Sequence, residues 1–196
     1  MSIHFYDKAI VNHFRNLLDD NRIHILPVEQ AIRFTAQLQK DDVVFPLISI
    51  NRTGWSMLNN RINWTASNVG GFQKRNNDGT NTLMKVIPIR INYQVDVFTV
   101  DRYTCDDIIR EIFFNLVSSP TLSIDIPYRL DSKHNFNVFI DDDVVDNSDT
   151  VEHVNKGVLF RNTFTMYTDD AYLFASNIQL HGNAVGSVGV IDKRRV

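Results

Sequence analysis

Between Lys85 and Val117 the chain carries two hydrophobic rhythms in succession. Ile87, Ile89, Ile91, Tyr93, Val95 and Val97 alternate with Pro88, Arg90, Asn92, Gln94 and Asp96. A period of two sustained over that length predicts a half-buried strand. Its polar face predicts an antiparallel sheet with one wet side, because strands covered on both faces read as unbroken apolar runs. After the polar turn Asp101-Arg102-Tyr103 the spacing changes. Ile108, Ile109, Ile112, Phe113, Leu116 and Val117 recur at helical intervals. Thr104 is placed to cap that helix, Asp106 and Asp107 suit its positive dipole end, and Ser118-Ser119-Pro120 ends it. A strand and a helix with one apolar face each can cover one another, so this unit predicts an α+β domain.

The flanking sequence extends the same scheme. Phe5, Ala9, Ile10, Phe14, Leu17 and Leu18 form a helical stripe, predicting a helix from Phe5 to Leu18. Ile23, Ile25 and Val28 around Pro27 predict a short strand near a sheet edge. Alternation from Ile32 favours strand over residues 29–38, and Val43 to Ile50 reads as another. From Asn51 to Thr82 the chain is rich in Asn, Gly and Ser and keeps no steady period, which predicts a long loop or hairpin excursion. Further strands are expected at Leu122–Ile126, Phe136–Ile140 and Val158–Tyr167, with Tyr172–Leu180 able to continue the sheet. Residues 141–157 read as an acidic loop, and 182–196 as a flexible glycine-rich tail. The expected architecture is one α+β domain over residues 1–196, with an antiparallel or mixed sheet packed against two main helices.

Length and composition fit that picture. The chain has 196 residues, of which 43% are hydrophobic, enough for a real core. One cysteine excludes an internal disulfide and suits a reducing compartment. No apolar run approaches the roughly 20 residues of a membrane span, and Met1 to Asp7 lacks the regions of a signal peptide, so a soluble, unexported protein is expected. The net charge of −3 argues against a generally basic nucleic-acid binder.

That charge is unevenly placed. Residues 51–85 hold five basic residues and one acid, whereas residues 125–152 hold two basic residues and eight acids. Both tryptophans, Trp55 and Trp64, and Phe72 lie on the basic excursion with Lys74 and Arg75. Large aromatics there fit a segment that orders against a partner. Opposite the basic stretch in charge stands the run Asp141, Asp142, Asp143. These eight residues are the candidate partner or subunit interface, with 51–85 of one subunit meeting 125–152 of the next.

Signs of catalysis are few. The chain has none of the G-x-S-x-G, G-x-x-x-x-G-K-[ST], H-E-x-x-H or C-x-x-C patterns. Its six histidines show no ligand spacing, and Cys105 reads as a structural thiol. Asp141–Asp143, with Asp146 and Asp149, is rich in oxygen ligands but lacks the glycine and terminal glutamate of an EF-hand loop. No catalytic residue, metal or cofactor is expected. A nucleic-acid module using Lys74, Arg75 and Lys193–Arg195, and a metal-dependent hydrolase using the aspartates, are the other function classes.

Taken together, the N-terminal helix, early strands, long excursion, strand Ile87–Val100, capped helix Thr104–Val117 and strand Val158–Tyr167 resemble bacteriophage tail-terminator and tail-completion (neck) proteins. The stretch Phe45-Pro46-Leu47-Ile48-Ser49-Ile50-Asn51-Arg52-Thr53-Gly54-Trp55 has a similar flavour of phage structural proteins. The 51–82 excursion departs from compact members and leaves other neck or baseplate roles open. The resemblance implies a non-enzymatic virion part, assembled in the host cytoplasm. It would form a homo-oligomeric ring, commonly of six, contacting tail tube or sheath proteins and neck or connector proteins.

Overall fold

The strand expected from Ile87 onward is the middle of the main sheet. A computed structural model describes residues 3–18, 23–26, 44–62, 71–75, 81–126, 133–148, 152–153 and 157–174, with residues 71–75, 81–85, 142, 152–153 and 157–158 described by their backbone. The elements in chain order are α1 (Ile3–Leu17), β1 (His24–Leu26), β2 (Leu47–Met57), a 3-10 turn (Asn59–Arg61), β3 (Gly71–Arg75), β4 (Asn81–Thr99) and α2 (Arg102–Ser118). There follow β5 (Thr121–Asp125), β6 (Lys133–Asn137), β7 (Phe139–Asp146), β8 (Glu152–His153), β9 (Gly157–Val158) and β10 (Phe160–Phe174). The main sheet runs β1-β2-β4-β10-β7, with β3 added on β4. Among the described residues only the β1–β2 pair in it is parallel, and β5–β6 and β8–β9 form two small ribbons.

The chain is thus an α+β protein with both helices on one face of a mixed sheet. That face carries the alternating residues read from the sequence: Ile89, Ile91, Tyr93, Val95 and Val97 are fully buried. Ile48 and Ile50 of β2 and Phe164 and Met166 of β10 continue the layer. Tyr6, Ile10 and Phe14 of α1 and Cys105, Ile108, Ile112 and Leu116 of α2 close over it in one continuous core, which Ile124 and Phe136 of the β5–β6 ribbon join. Phe113 meets Phe164 edge to face at 5.1 Å.

The opposite face stays polar. Asp96, almost fully buried, accepts hydrogen bonds from Arg161 (3.0 Å), Thr163 (2.6 Å) and Gln94 (3.1 Å). Arg90 pairs bidentately with Asp169, and its guanidinium lies 4.6 Å over the Tyr167 ring. This is the wet side expected of an antiparallel sheet.

Several elements differ from the sequence expectation for definable reasons. The cap of α2 is Asp101, whose carboxylate accepts from the Tyr103 and Thr104 backbone N–H groups, while Thr104 donates its own hydroxyl to Asp101. The helix therefore begins earlier than a Thr104 cap implied. The excursion is strand in part, in keeping with its hairpin alternative rather than a loop: β2 runs to Met57, and β3 pairs antiparallel with residues 81–85 of β4. The period there was hidden by a bulge. Arg52 opposes Tyr93 but Gly54 opposes Asn92, so Thr53 is an extra residue, and the inward positions switch from Ile48 and Ile50 to Trp55 and Met57. Phe136–Ile140 divides at Val138 between β6 and β7, which belong to different sheets. Within the expected 141–157 loop, β7 runs as far as Asp146, and β8 and the first residue of β9 lie there too. An edge strand tolerates charge, so its composition reads as loop. Val117, counted in the buried stripe, is instead 76% exposed. The expected strand over 29–38, Trp64 and the 182–196 tail lie outside the described residues.

Candidate interaction surface

Four places on the described surface expose large apolar side chains. Trp55 and Met57, at the end of β2, are 47% and 48% exposed. Both sit opposite inward residues of β4, Ile91 and Ile89. The bulge at Thr53 thus turns them to the helix side of the sheet at the margin of the core. On α2, Tyr103, Phe114 and Val117 project into solvent. Their separations of 11 and 14 residues put them on one stripe of the helix, along with the exposed Asp107–Arg110 ion pair at 3.0 Å. On β7, Phe139, Val144 and Val145 are between 41% and 51% exposed. Val44 and Val100 lie near the ends of β2 and β4 and are also exposed.

The expected basic residues fall on a hairpin arm. β3 pairs with the first five residues of β4, from Gly71↔Lys85 to Arg75↔Asn81, with Phe72 opposite Met84 and Lys74 opposite Thr82. The last pairs that β2 and β10 make with β4 are Met57↔Ile89 and Phe174↔Val86. The arm therefore continues β4 beyond the sheet body, by roughly 17 Å for five residues.

Asp141, Asp142 and Asp143 fall on β7 instead, a strand paired only with β10 among the described residues. They occupy an irregularity: Phe164↔Val144 is followed by Met166↔Ile140, so β7 carries the extra residues. Asp141 accepts a hydrogen bond from Thr165 at 2.7 Å. Asp141 and Asp143 are exposed and have no ion pair among the described residues. At the end of the strand Asp146 accepts from the Ser148 N–H and hydroxyl, which hold its carboxyl below the usual range; it also lies 3.6 Å from Arg102.

Arm and edge do not meet within one chain. Phe139 on β7 opposes Tyr167, which opposes Asn92, while the arm begins at Lys85. That places the arm roughly 23 Å further along β4 and about 10 Å to the side, given ~3.3 Å per residue and ~4.8 Å per strand. Of the expected interface residues, the structure groups Asp141–Asp143 on one strand and Phe72, Lys74 and Arg75 on another, with Trp55 on β2. Sequence reading missed the β7 valines, Phe139, and the α2 stripe. The signal for Phe114 was present, since it falls off the buried spacing of Ile108, Ile112 and Leu116.

Apart from His13, whose Nε2 is buried without a hydrogen-bond partner and whose pKa burial lowers, the buried polar side chains are engaged structurally. Asp7 on α1 accepts from the Tyr93 hydroxyl at 2.9 Å and from Arg52 at 2.5 Å. Burial pushes its carboxyl pKa up, against the opposing pull of Arg52 and of the Tyr93 hydrogen bond. The Cys105 thiol is buried and shifted up, away from the reactive thiolate. His134 sits among Tyr6, Phe136, Tyr172 and Phe174 with Nε2 2.7 Å from the Asp170 carbonyl, and burial lowers its pKa. Among the described residues no group of three or more His, Cys, Asp or Glu side chains is placed to hold a metal ion, and no helix is long and apolar enough to cross a membrane.

No protein-family model matches the chain, and no curated protein matches it. Among solved structures it is similar to a chain from the tail of an empty GTA particle computed with helical refinement and C6 symmetry. That match has a TM-score of 0.24 and 15% identity, covering 66% of this chain and 78% of that one. The functional reading accordingly rests on the chain's own surfaces and on the resemblance carried by its order of elements.

Proposed function

We propose that this protein is a non-enzymatic structural component of a tailed-phage-like virion, working at the tail or neck. In its most specific form it is a terminator: a ring of copies, six by the family resemblance, that caps the tail tube and joins it to the neck or connector. The observation that carries an assembly role is the apolar surface left exposed at Trp55 and Met57, on the α2 stripe, and along β7. Large apolar side chains clustered at several sites on a small protein mark surfaces that partners cover. The reading as non-catalytic draws on the buried carboxylates of Asp7 and Asp96, each of which holds elements together through hydrogen bonds.

Mass by light scattering on the purified chain, at low and at high salt, tests the assembly role. The expected result is a multiple of the 22.6 kDa chain at low salt that loosens as salt rises. A 22.6 kDa particle under both conditions overturns self-assembly.

A further inference from the structure

We infer that the β3–β4 arm of one copy docks along the β7 edge of a second copy, head to tail. This names the contact within the assembly reading and rests on that reading. The two elements are complementary in charge. The two strands of the arm, 71–75 and 81–85, carry Lys74, Arg75 and Lys85 and no acid, while β7 carries Asp141, Asp142, Asp143 and Asp146 with no cation. They are also complementary in form. The arm is a two-stranded ribbon that extends past the body of the sheet. The edge has no paired strand on its outer side among the described residues, and it exposes Phe139, Val144 and Val145 on either side of the acidic run.

Topology makes the contact intermolecular. The arm of a chain lies roughly 23 Å along the strands from its own β7, at the far end of β4, so only another copy can supply it. The acidic run also selects the partner. Two β7 edges laid together would bring four carboxylates against four, which like-charge repulsion disfavours, so a two-fold edge pairing is suppressed. A basic arm meets no such penalty. Because the arm and the edge are different surfaces, each copy offers one of each, and repetition of the contact yields a closed ring or a helical run. The irregularity at Asp141–Asp143 breaks the regular ladder. Charge therefore holds the centre of the contact, and Phe139 and the two valines flank it.

The test is charge exchange in the full chain, read by light scattering at low salt. Lys74→Glu with Arg75→Glu is expected to reduce the assembly to single chains, and adding Asp141→Lys with Asp143→Lys to restore it. If the Lys74/Arg75 variant assembles like the unaltered protein, or if its loss is not restored by the second pair, the arm–edge contact is wrong while the assembly reading stands. If the unaltered protein is itself a single chain, both fall together. A second readout does not depend on the charge variants. An oxidised mixture of Lys74→Cys chains and Asp143→Cys chains is expected to give a covalent heterodimer, and Cys105, being buried, stays out of it. Absence of that product in an assembled sample overturns the contact.

Discussion

The bridge from α1 to the sheet can be weighed in detail. Asp7 connects the helix to Tyr93 of β4 and Arg52 of β2, residues far apart in the chain. Tyr93 is fully buried, whereas the Arg52 side chain keeps 31% exposure. Replacing Asp7 with Ala therefore has two unequal consequences. Arg52 can turn to water, so loss of its pair counts for at most about 1 kcal/mol. The Tyr93 hydroxyl cannot, and a buried donor without a partner costs about 1–3 kcal/mol. Asp7→Ala should thus destabilise by roughly 2–3 kcal/mol, with the orphaned hydroxyl the larger part. Tyr93→Phe removes that hydroxyl while keeping the ring, and should cost only about 1 kcal/mol. In the Tyr93→Phe background, Asp7→Ala should then cost less than it does alone, with a coupling of at least about 1 kcal/mol. Urea unfolding followed by circular dichroism, at constant slope, gives all four stabilities. Additive costs would refute the claim that the Tyr93–Asp7 hydrogen bond, rather than the ion pair, fastens α1.

Phe164 is buried between the sheet and Phe113, so Phe164→Ala should cost about 3–5 kcal/mol, seen as a large fall in the urea midpoint. Two carboxylates should shape the acid response in separate windows. Hydrogen bonding to Arg90 lowers the Asp169 pKa below 3.8, so its stabilisation is present above that value and is lost as pH falls through the folded-state pKa. Asp169→Asn should therefore flatten the loss of stability below pH 3.8 in a urea series. Burial raises the Asp7 pKa above 3.8, so its contribution is full below that value and is lost as pH rises through the folded-state pKa. Asp7→Asn should remove this gain on acidification and change the slope above pH 3.8 instead.

What could be read from the sequence follows from where each signal is written. The Ile87–Val97 alternation is local and uninterrupted, so it located the central strand and its buried face. The α2 stripe at Ile108, Ile112 and Leu116 was equally plain. The helix start was less so. Asp101, Thr104 and the two following aspartates are all capping residues, and the choice depends on which carboxylate reaches the free N–H groups. β2 was cut short because one inserted residue, Thr53, moves every later side chain to the other face, and a period-two search loses the strand there. β7 was read as loop because an edge strand needs only one apolar side and keeps charge against unwanted pairing. The candidate interface residues were legible as types and charges. Their grouping on an arm and an edge was not, because it is set by the register of β4 with β3 and β10. The Asp7–Tyr93–Arg52 bridge carried no sequence signal, since its members are joined only by the packing of α1 on the sheet.

The assembly account turns on copies joining head to tail through unlike surfaces. Negative-stain electron microscopy of the purified protein at low salt, with class averaging, tests this most directly. The account predicts rings with cyclic symmetry, each copy joined to two neighbours, which disappear when Lys74 and Arg75 are reversed in charge. Isolated single chains, or particles built only of two-fold dimers, would contradict it.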